Sequence, residues 1–219
     1  MKLYYETVTD YLMRYLVRIM NSPNFNDFRL VGGTSLALQI GHRKSVDIDL
    51  FTDIDYGTID TQSISKFLQE AFPIVKGIET FDRIGLGYSV RIGDTNEELI
   101  KLDMYYTEKY IFPMIIQDGI RFASDKEVAA MKMQAITSPN PRKKDFWDIC
   151  ELLEKYSLND MIEWGIERNP YSLTKEAIIN SLKNINSVDS SEPINCIKDN
   201  YWELVVMDLL EAVKKIATL

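Results

Sequence analysis

The chain has 219 residues, of which 46% are hydrophobic and 26% are charged, and its formal net charge is −8. This length suits one large domain or two small ones, and the composition is that of a chain with a substantial core. Because proteins that bind nucleic acid over a broad surface are usually basic, any nucleic-acid contact here must be local. Cys150 and Cys196 are too few for a disulfide framework, and we expect both to be free thiols.

The N-terminal residues carry charges among their apolar side chains and therefore do not resemble a signal peptide. No apolar run is long enough to cross a bilayer, so the sequence predicts a cytoplasmic protein without a membrane partner. Apolar side chains at helical spacing predict an amphipathic helix over residues 4–20, and Pro23 follows its end.

The stretch from residue 28 to residue 51 organises the rest of the chain. It predicts a strand that ends at Val31, a glycine turn, a short helix over residues 36–40 that Gly41 ends, and a second strand. The turn glycines let the backbone approach a ligand closely, because they have no Cβ. Backbone N–H groups and hydroxyls before a helix can hold phosphate. We therefore expect a phosphate-binding turn of Gly32, Gly33, Thr34 and Ser35, with Thr34 or Ser35 as the helix cap.

The second strand is predicted to carry two carboxylates on one face. Val46, Ile48 and Leu50 alternate with Asp47 and Asp49, so the apolar and the acidic side chains point to opposite sides. Carboxylates this close repel each other unless a cation lies between them. Magnesium prefers hard oxygen ligands, typically one or two carboxylates and phosphate oxygens. The strand therefore predicts a Mg²⁺ site at the two aspartates, with Mn²⁺ as the alternative ion.

The two motifs together resemble the nucleotidyltransferases of the AbiEii/AbiGii toxin family, part of the polymerase-β-like superfamily. The first is Gly-Gly-Thr-Ser-Leu-Ala-Leu-Gln over residues 32–39, and the second is His-Arg-x-Ser-x-Asp-Ile-Asp-Leu-Phe over residues 42–51. The resemblance implies an enzyme that moves an NMP from an NTP to an acceptor hydroxyl. It also implies RNA such as tRNA as one class of acceptor, and a cognate antitoxin protein as a partner.

Asp103 is the candidate for a third carboxylate, which two-metal phosphoryl chemistry requires. It lies on a predicted strand over residues 99–106, on the same face as Lys101 and Tyr105. In the superfamily, a carboxylate on the strand beside the Asp-x-Asp strand completes the metal site, and the resemblance implies this role for Asp103. The alternative is an exposed strand residue without a function.

Other extended runs and a helix fill the rest of the first half. Residues 63–71 predict a helix, and residues 93–96 predict the turn of an antiparallel hairpin. The predicted strands of this region are residues 74–81, 86–92, 99–106 and 115–122.

From residue 124 onward the pattern is helical. Ser124 and Glu127 form a capping box, and Val128, Met131 and Ala135 continue an apolar stripe. Further helices are predicted over residues 145–156, 160–168, 174–184 and 201–218. The predicted fold class is therefore α+β, a nucleotidyltransferase-like mixed sheet with flanking helices over residues 1–123 and a helical domain over residues 124–219. A cleft between the two is the expected ligand site.

Several cations are candidates for nucleotide contacts. In the family, a lysine on the first helix of the second half contacts nucleotide phosphates, and a Lys-Asp pair opens the next helix. The matching residues are Lys132, with Lys126 as the alternative, and the pair Lys144 and Asp145. Arg43 either contacts phosphate or neutralises the acidic strand.

Several other classes of enzyme are excluded by the residues present. The single histidine, His42, is expected to be structural, and no Gly-x-Ser-x-Gly or Gly-x-x-x-x-Gly-Lys motif occurs. Two alternative functions remain open, namely nucleotidylation of a small molecule or protein, and a catalytically inactive nucleotide-binding interaction module.

Overall fold

The computed structural model describes residues 2–79, 85–198 and 200–217. Within them the predicted α+β fold is confirmed, with a mixed sheet of seven strands and eight α-helices. The strands are β1 (Arg29–Leu30), β2 (Ile48–Thr52), β3 (Ile74–Lys76), β4 (Gly87–Gly93), β5 (Ile100–Tyr106), β6 (Ile115–Gln117) and β7 (Ile120–Phe122). The helices are α1 (Asp10–Met20), α2 (Gly32–Ile40), α3 (Thr61–Ala71), α4 (Asp125–Ile136), α5 (Lys143–Leu152), α6 (Leu158–Arg168), α7 (Lys175–Lys183) and α8 (Trp202–Ala217).

The strand order in the sheet is β3-β4-β5-β2-β1-β7-β6. The pairs β2–β5 and β1–β7 are parallel, and the other neighbours are antiparallel. This order places β2 and β5 side by side near the middle of the sheet. The two strands that carry the predicted carboxylates are therefore direct neighbours.

The first helix is shorter than the sequence predicted. A 3-10 turn over Tyr5–Thr7 precedes α1, which begins only at Asp10. Thr9 has extended backbone angles, and its side chain accepts a hydrogen bond from the Leu12 N–H at 3.3 Å. The cap therefore stops the helix from extending toward residue 4.

Helix α2 begins earlier than predicted. Val31 is its N-cap residue, with extended backbone angles and no capping hydrogen bond from its side chain. The helix already includes Gly32, whose φ is 67°. The expectation that Thr34 or Ser35 caps this helix is wrong, because both lie inside its first turn. The predicted left-handed end at Gly41 is confirmed, with φ of 71°.

Strand β2 begins at Ile48, two residues later than the predicted alternation. Val46 is 63% exposed and Asp47 precedes the strand, so the prediction that these two residues belong to the strand is wrong. Ile48 and Leu50 are buried as expected, and Asp49 lies on the opposite face. The acidic strand therefore carries one aspartate within the sheet and one at its entrance.

The remaining strands match the predictions in part. The β4–β5 hairpin is confirmed as antiparallel. The run over residues 115–122 is two strands, because Asp118 and Gly119 adopt φ of 52° and 77° and turn the chain back on itself. Of the run predicted over residues 74–81, only Ile74–Lys76 is a strand, and residues 80 and 81 lie outside the described residues.

In the helical half, Ser124 caps α4 as predicted and accepts a hydrogen bond from the Glu127 N–H at 3.2 Å. The apolar stripe is displaced from the predicted register, because Met131 and Ala135 are only partly buried whereas Met133 is fully buried. Helix α5 begins at Lys143, two residues before the predicted start, and ends at Leu152, four residues before the predicted end.

Two apolar cores hold the structure together. The first lies between the sheet and the helices α1 and α3, and it contains Leu16, Leu50 and Leu102. The second packs α4 to α8 and takes in Val31 and Leu36 from the start of α2. The domain boundary near residue 123 stays a prediction. Helix α2 precedes this boundary in the chain but contributes to the second core. No helix in the described ranges has both the length and the apolar character needed to cross a membrane.

Candidate functional site

Two carboxylates lie directly opposite each other on neighbouring strands. Asp49 of β2 is the register partner of Asp103 of β5 in the parallel pair. Adjacent strands are separated by about 4.8 Å, so the two side chains leave the same face at close range. Asp47 stands two residues earlier, at the entrance to β2. The structure thus brings together the three aspartates that the sequence indicated.

The charge on Asp49 is not neutralised. Burial, together with the charges of Asp103 and Asp47, raises the pKa of this carboxyl to about 6, against the opposing effects of Lys132 and Arg142. A raised pKa means that the folded protein disfavours the ionised form. The site therefore carries an excess of negative charge that a bound cation would relieve.

Asp103 is held by neighbours on its own side of the sheet. The Ser89 hydroxyl donates to its Oδ1 at 2.5 Å, and the Lys101 ammonium contacts its Oδ2. In the described part of the chain, no three Asp, Glu, His or Cys side chains are grouped closely enough to hold an ion together. Lys101 already pairs with Asp103, so the residues fit a cation held mainly by Asp47 and Asp49.

The two glycines of α2 stand against the site. A Cβ on Gly32 would lie 2.4 Å from Asp49 Oδ2, and a Cβ on Gly33 would lie 2.5 Å from an Arg43 Nη atom. Any side chain at either position would thus displace a charged group of the site. Since the first N–H groups of a helix have no acceptor within it, this helix start offers donors beside the carboxylates.

The hydroxyls of Thr34 and Ser35 form hydrogen bonds to other groups of the protein. Both residues are fully buried. Thr34 Oγ1 lies 2.8 Å from Ser45 Oγ and donates to the Asp47 carbonyl, and Ser35 donates to the Ala123 carbonyl at 3.3 Å. The phosphate-binding hydroxyls expected from the sequence are therefore not available, which leaves the backbone N–H groups of the turn.

Asp148 forms the centre of a buried ion network. It accepts from Arg43 Nε at 2.7 Å and from Arg43 Nη2 at 2.9 Å, and it lies 2.8 Å from His42 Nε2. Lys132 Nζ is 2.6 Å from its second oxygen. Burial alone would raise the pKa of Asp148, but Lys132 and Arg43 hold it well below the usual range. His42 thus has the structural role that the sequence suggested.

Lys132 and Asp145 belong to the same network. Lys132 Nζ lies 2.6 Å from Asp145 Oδ1, and Arg142 Nε lies 3.2 Å from Asp145 Oδ2. Burial would raise the pKa of Asp145, yet the two cations lower it. Lys126, the alternative to Lys132, instead lies 5.6 Å from the centre of the Trp164 ring, away from the carboxylates. Lys132 is therefore the lysine of α4 that acts on Asp49, although its ammonium is already bonded twice inside the protein.

A small cavity opens beside Asp47. It has a volume of about 120 Å³ and is lined by Arg43, Lys44, Ser45 and Lys144 as well as by Glu192. Lys144 Nζ lies 3.8 Å from Glu192 Oε1. A larger cavity of about 590 Å³ between α5, α6 and α8 contains none of the three carboxylates. We therefore regard the small cationic cavity as the one that belongs to the site.

The segment over residues 187–198 crosses this cavity. The Lys44 N–H donates to the Asn195 carbonyl at 2.8 Å, and the Ile197 N–H donates to the His42 carbonyl at 3.0 Å. Glu192 is a candidate residue to which the sequence assigned no role, whereas Asp148 belongs to the family motif that begins with Lys144 and Asp145. Asp148 follows Asp145 by three positions on α5, a spacing that places both on one helix face and could have indicated a shared partner.

Comparison with known protein families gives a match over most of the chain. A family model described as the nucleotidyl transferase AbiEii toxin of type IV toxin–antitoxin systems matches residues 14–175. The chain belongs to this family. The resemblance drawn from the two sequence motifs is thereby confirmed, and the AbiEii match extends from α1 to the start of α7.

Relatives of this AbiEii family member share its fold over nearly the whole chain. An uncharacterized protein of Aquifex aeolicus (strain VF5) is 28% identical over 197 residues, covering 87% of this chain and 88% of its own. A crystal structure from H. pylori, described as a nucleotidyltransferase, has a TM-score of 0.59 at 16% identity and covers 94% of this chain and 92% of its own. JHP933 from Helicobacter pylori has a TM-score of 0.53 at 15% identity, with 94% and 89% covered. At these identities the two structures support the fold alone.

Proposed function

We propose that this AbiEii family member transfers an NMP from a metal-bound NTP to an acceptor hydroxyl, as the toxin of a toxin–antitoxin system. The acceptor oxygen would bond to the α-phosphorus, the bond between the α- and β-phosphates would break, and pyrophosphate would leave. The observation that carries the proposal is the opposed pair Asp49 and Asp103 with Asp47 beside it. Burial and mutual repulsion raise the pKa of Asp49 to about 6 in this group. A purely structural carboxylate cluster would be expected to have its own cations, as Asp148 has.

Asp47 and Asp49 would hold Mg²⁺, with Mn²⁺ as the alternative ion, and Asp103 would complete the acidic group. When bound, such an ion neutralises phosphate charge and polarises the phosphorus that is attacked. Asp103 stands on β5, one strand further than Asp49 from β1 and the start of α2, and the acceptor hydroxyl would approach there. Its carboxylate can therefore orient the acceptor hydroxyl while Asp49 faces the nucleotide.

The phosphates of the NTP would lie over the start of α2. The N–H groups of Gly32 and Gly33 donate there, and Arg43 and Lys144 supply positive charge from the adjoining cavity. Asp148 holds the Arg43 guanidinium through two hydrogen bonds. Lys132 contributes field rather than a direct bond, because Asp145 and Asp148 occupy its ammonium. Catalysis would consist mainly of positioning and charge stabilisation.

RNA such as tRNA is the acceptor class that we propose, and a cognate antitoxin is the proposed protein partner. Both follow from membership of the AbiEii family and from its description as a toxin–antitoxin component. A protein or small-molecule acceptor is the alternative outcome of the experiment below. An inactive nucleotide-binding module is less consistent with the opposed pair Asp49 and Asp103 and with Asp47 at the entrance to the same strand.

The experiment is transfer of label from each of the four α-³²P-labelled NTPs to total tRNA, with Mg²⁺ and with EDTA. Parallel reactions offer the purified protein itself and a small-molecule extract as acceptors. We expect label in RNA, from one preferred NTP, only when the metal is present. Absence of label from all three acceptor classes, with any NTP and either Mg²⁺ or Mn²⁺, would show that the protein is not a nucleotidyltransferase.

A further inference from the structure

Three cations form one row across the sheet, next to the carboxylates. Lys76 of β3 pairs with Arg91 of β4, and Arg91 pairs with Lys101 of β5. Residues directly opposite in antiparallel strands project from the same face. Lys101 also shares its face with Asp103, because the two are separated by two positions on β5. The row and the carboxylates therefore lie on one surface of the sheet.

This surface is open at the row. Ile92 and Ile100, the neighbours of Arg91 and Lys101 along their strands, point the other way into the first core. Lys76, Arg91 and Lys101 are themselves exposed. The helices α1 and α3 pack on the apolar side, so a long partner could lie across the three strands without displacing any of them.

The row is costly without an anionic partner, because like charges directly opposite in a sheet repel. Lys101 contacts Asp103, and Lys76 donates to Asn96 at 3.2 Å. Arg91, the middle member, has no acceptor for its guanidinium among the described residues. Although the chain has a net charge of −8, it places three cations opposite one another beside the candidate catalytic aspartates. The positive charge of the row is local, as binding of a polyanion by an acidic protein requires.

The row lies on the far side of the carboxylates from the cations assigned to the NTP. Arg43 and Lys144 belong to the α2 and α5 side, whereas the row runs outward from β5 to the sheet edge at β3. Lys101 is about 7 Å along β5 from Asp103, since a strand rises about 3.3 Å per residue. Tyr105 lies on the other side of Asp103, and its ring packs against Gly87. A Cβ on Gly87 would lie 2.4 Å from a carbon of that ring. One cation of the row, the carboxylate and an aromatic ring thus follow one another along β5.

We infer that Lys76, Arg91 and Lys101 bind the phosphodiester backbone of a single-stranded polynucleotide acceptor, so that its terminal hydroxyl reaches Asp103. This inference rests on the proposed nucleotidyl transfer, because it names the surface that presents the acceptor. Phosphate contacts of this kind position a strand without reading its bases. The row therefore favours strands of any sequence, and selection of one RNA would depend on other contacts.

The test is binding of a 5′-fluorescein-labelled 12-nucleotide RNA with a free 3′ hydroxyl, without NTP, followed by anisotropy at several KCl concentrations. The variant is K76A/R91A, which leaves Lys101 in contact with Asp103. We expect its affinity to be lower by roughly five- to tenfold, and the slope of log K against log salt to be smaller by about 1.4, or about 0.7 for each lost contact with a single strand. Lys66→Ala removes an exposed cation of α3 and should leave both values unchanged.

An unchanged affinity and salt slope in K76A/R91A would overturn the inference, as would a wild-type protein that does not bind the RNA at all. A loss of equal size in Lys66→Ala would also overturn it, because the effect would then be one of net charge. The binding assay is independent of the reaction. If the wild-type protein transfers no NMP but the double variant still binds RNA more weakly, the surface stands and the proposed function fails.

Discussion

Two groups of aspartates differ sharply in how the protein treats their charge. Asp145 and Asp148 share Lys132 and are further paired with Arg142 and Arg43, and the pKa of each is lowered despite burial. Asp49, next to Asp47 and Asp103, has its pKa raised to about 6 by burial and by the neighbouring carboxylates. Both groups lie near the start of α2 and affect one another's residues.

The difference separates a structural role from a chemical one. Removing one partner of a buried ion pair leaves an uncompensated charge, so a saturated group is expected to be required for folding. An unsaturated group carries repulsion in the free protein and is expected to be required for binding a cation. Substitutions in the two groups should therefore change stability in opposite directions.

The largest effect that we expect is on activity. Asp47→Asn and Asp49→Asn each remove a proposed metal ligand without changing side-chain volume, and either should lower the transfer rate by at least about 10³-fold, since a metal clamp supplies several kcal/mol. Asp55→Asn, an exposed aspartate in the turn after β2, is the matched control. Single-turnover labelling of RNA measures the rate, and near wild-type transfer by either site variant would contradict the assignment.

The next effect is on stability. Asp148→Asn breaks the pairing with Arg43 and Lys132 and should lower the free energy of unfolding by roughly 3 kcal/mol. Urea denaturation of the wild type and the variant gives this value. Asp103→Asn is the comparison, because its partners Ser89 and Lys101 lie at the exposed side of the sheet. If the two variants lose the same stability, the contrast between the groups is wrong.

A smaller effect of opposite sign is expected at Asp49. Its folded pKa of about 6 lies above the ordinary value of 3.8, so ionisation as the pH rises through this range destabilises the folded protein. Asp49→Asn removes that penalty and should be the more stable protein above pH 7 in EDTA, by on the order of 2 kcal/mol.

The pH dependence gives the control for this prediction. The difference in free energy of unfolding between wild type and Asp49→Asn should shrink as the pH falls toward the ordinary carboxyl value, where both forms are neutral at this position. Added Mg²⁺ and NTP should raise the melting temperature of the wild type more than that of the variant. A difference that stays constant with pH would show that repulsion at Asp49 is not its source.

The smallest effect concerns Glu192, which contributes negative charge to the cationic side of the site. It lies 3.8 Å from Lys144 and acts on Arg43 and Arg142. Because it is mostly exposed, Glu192→Gln should tighten NTP binding by only about two- to threefold, which corresponds to less than 1 kcal/mol. Asp189→Asn, on the same segment, is the control in a fluorescent-nucleotide titration. Weaker binding by Glu192→Gln would instead make Glu192 part of the binding site.

The local features of the fold could be predicted from the sequence because they depend on neighbouring residues. The glycine turn, the left-handed end at Gly41 and the cap at Ser124 are all of this kind. The turn at Asp118 and Gly119 could have been predicted too, since Asp-Gly is a strong hairpin signal. Only its position inside an apolar run concealed it.

The partners of the charged side chains could not be predicted in the same way. The family resemblance implies that Lys132 contacts nucleotide phosphates, whereas the register of α4 turns its ammonium toward Asp145 and Asp148 of α5. Its two bonds there depend on how the helices dock, which no local pattern reports. The same holds for Thr34, whose hydroxyl is taken by the chain segment that leads into β2.

The anchoring of Arg43 by Asp148 and by the backbone at Cys196 bears on when the protein first becomes active during its synthesis. All three carboxylates lie within the first 103 residues, but Asp148 and Cys196, which hold Arg43, come more than a hundred positions after Arg43. We therefore expect the emerging polypeptide to remain inert until Cys196 has left the ribosome. If the protein is the toxin that we propose, the time needed to synthesise these residues would protect the cell that makes it.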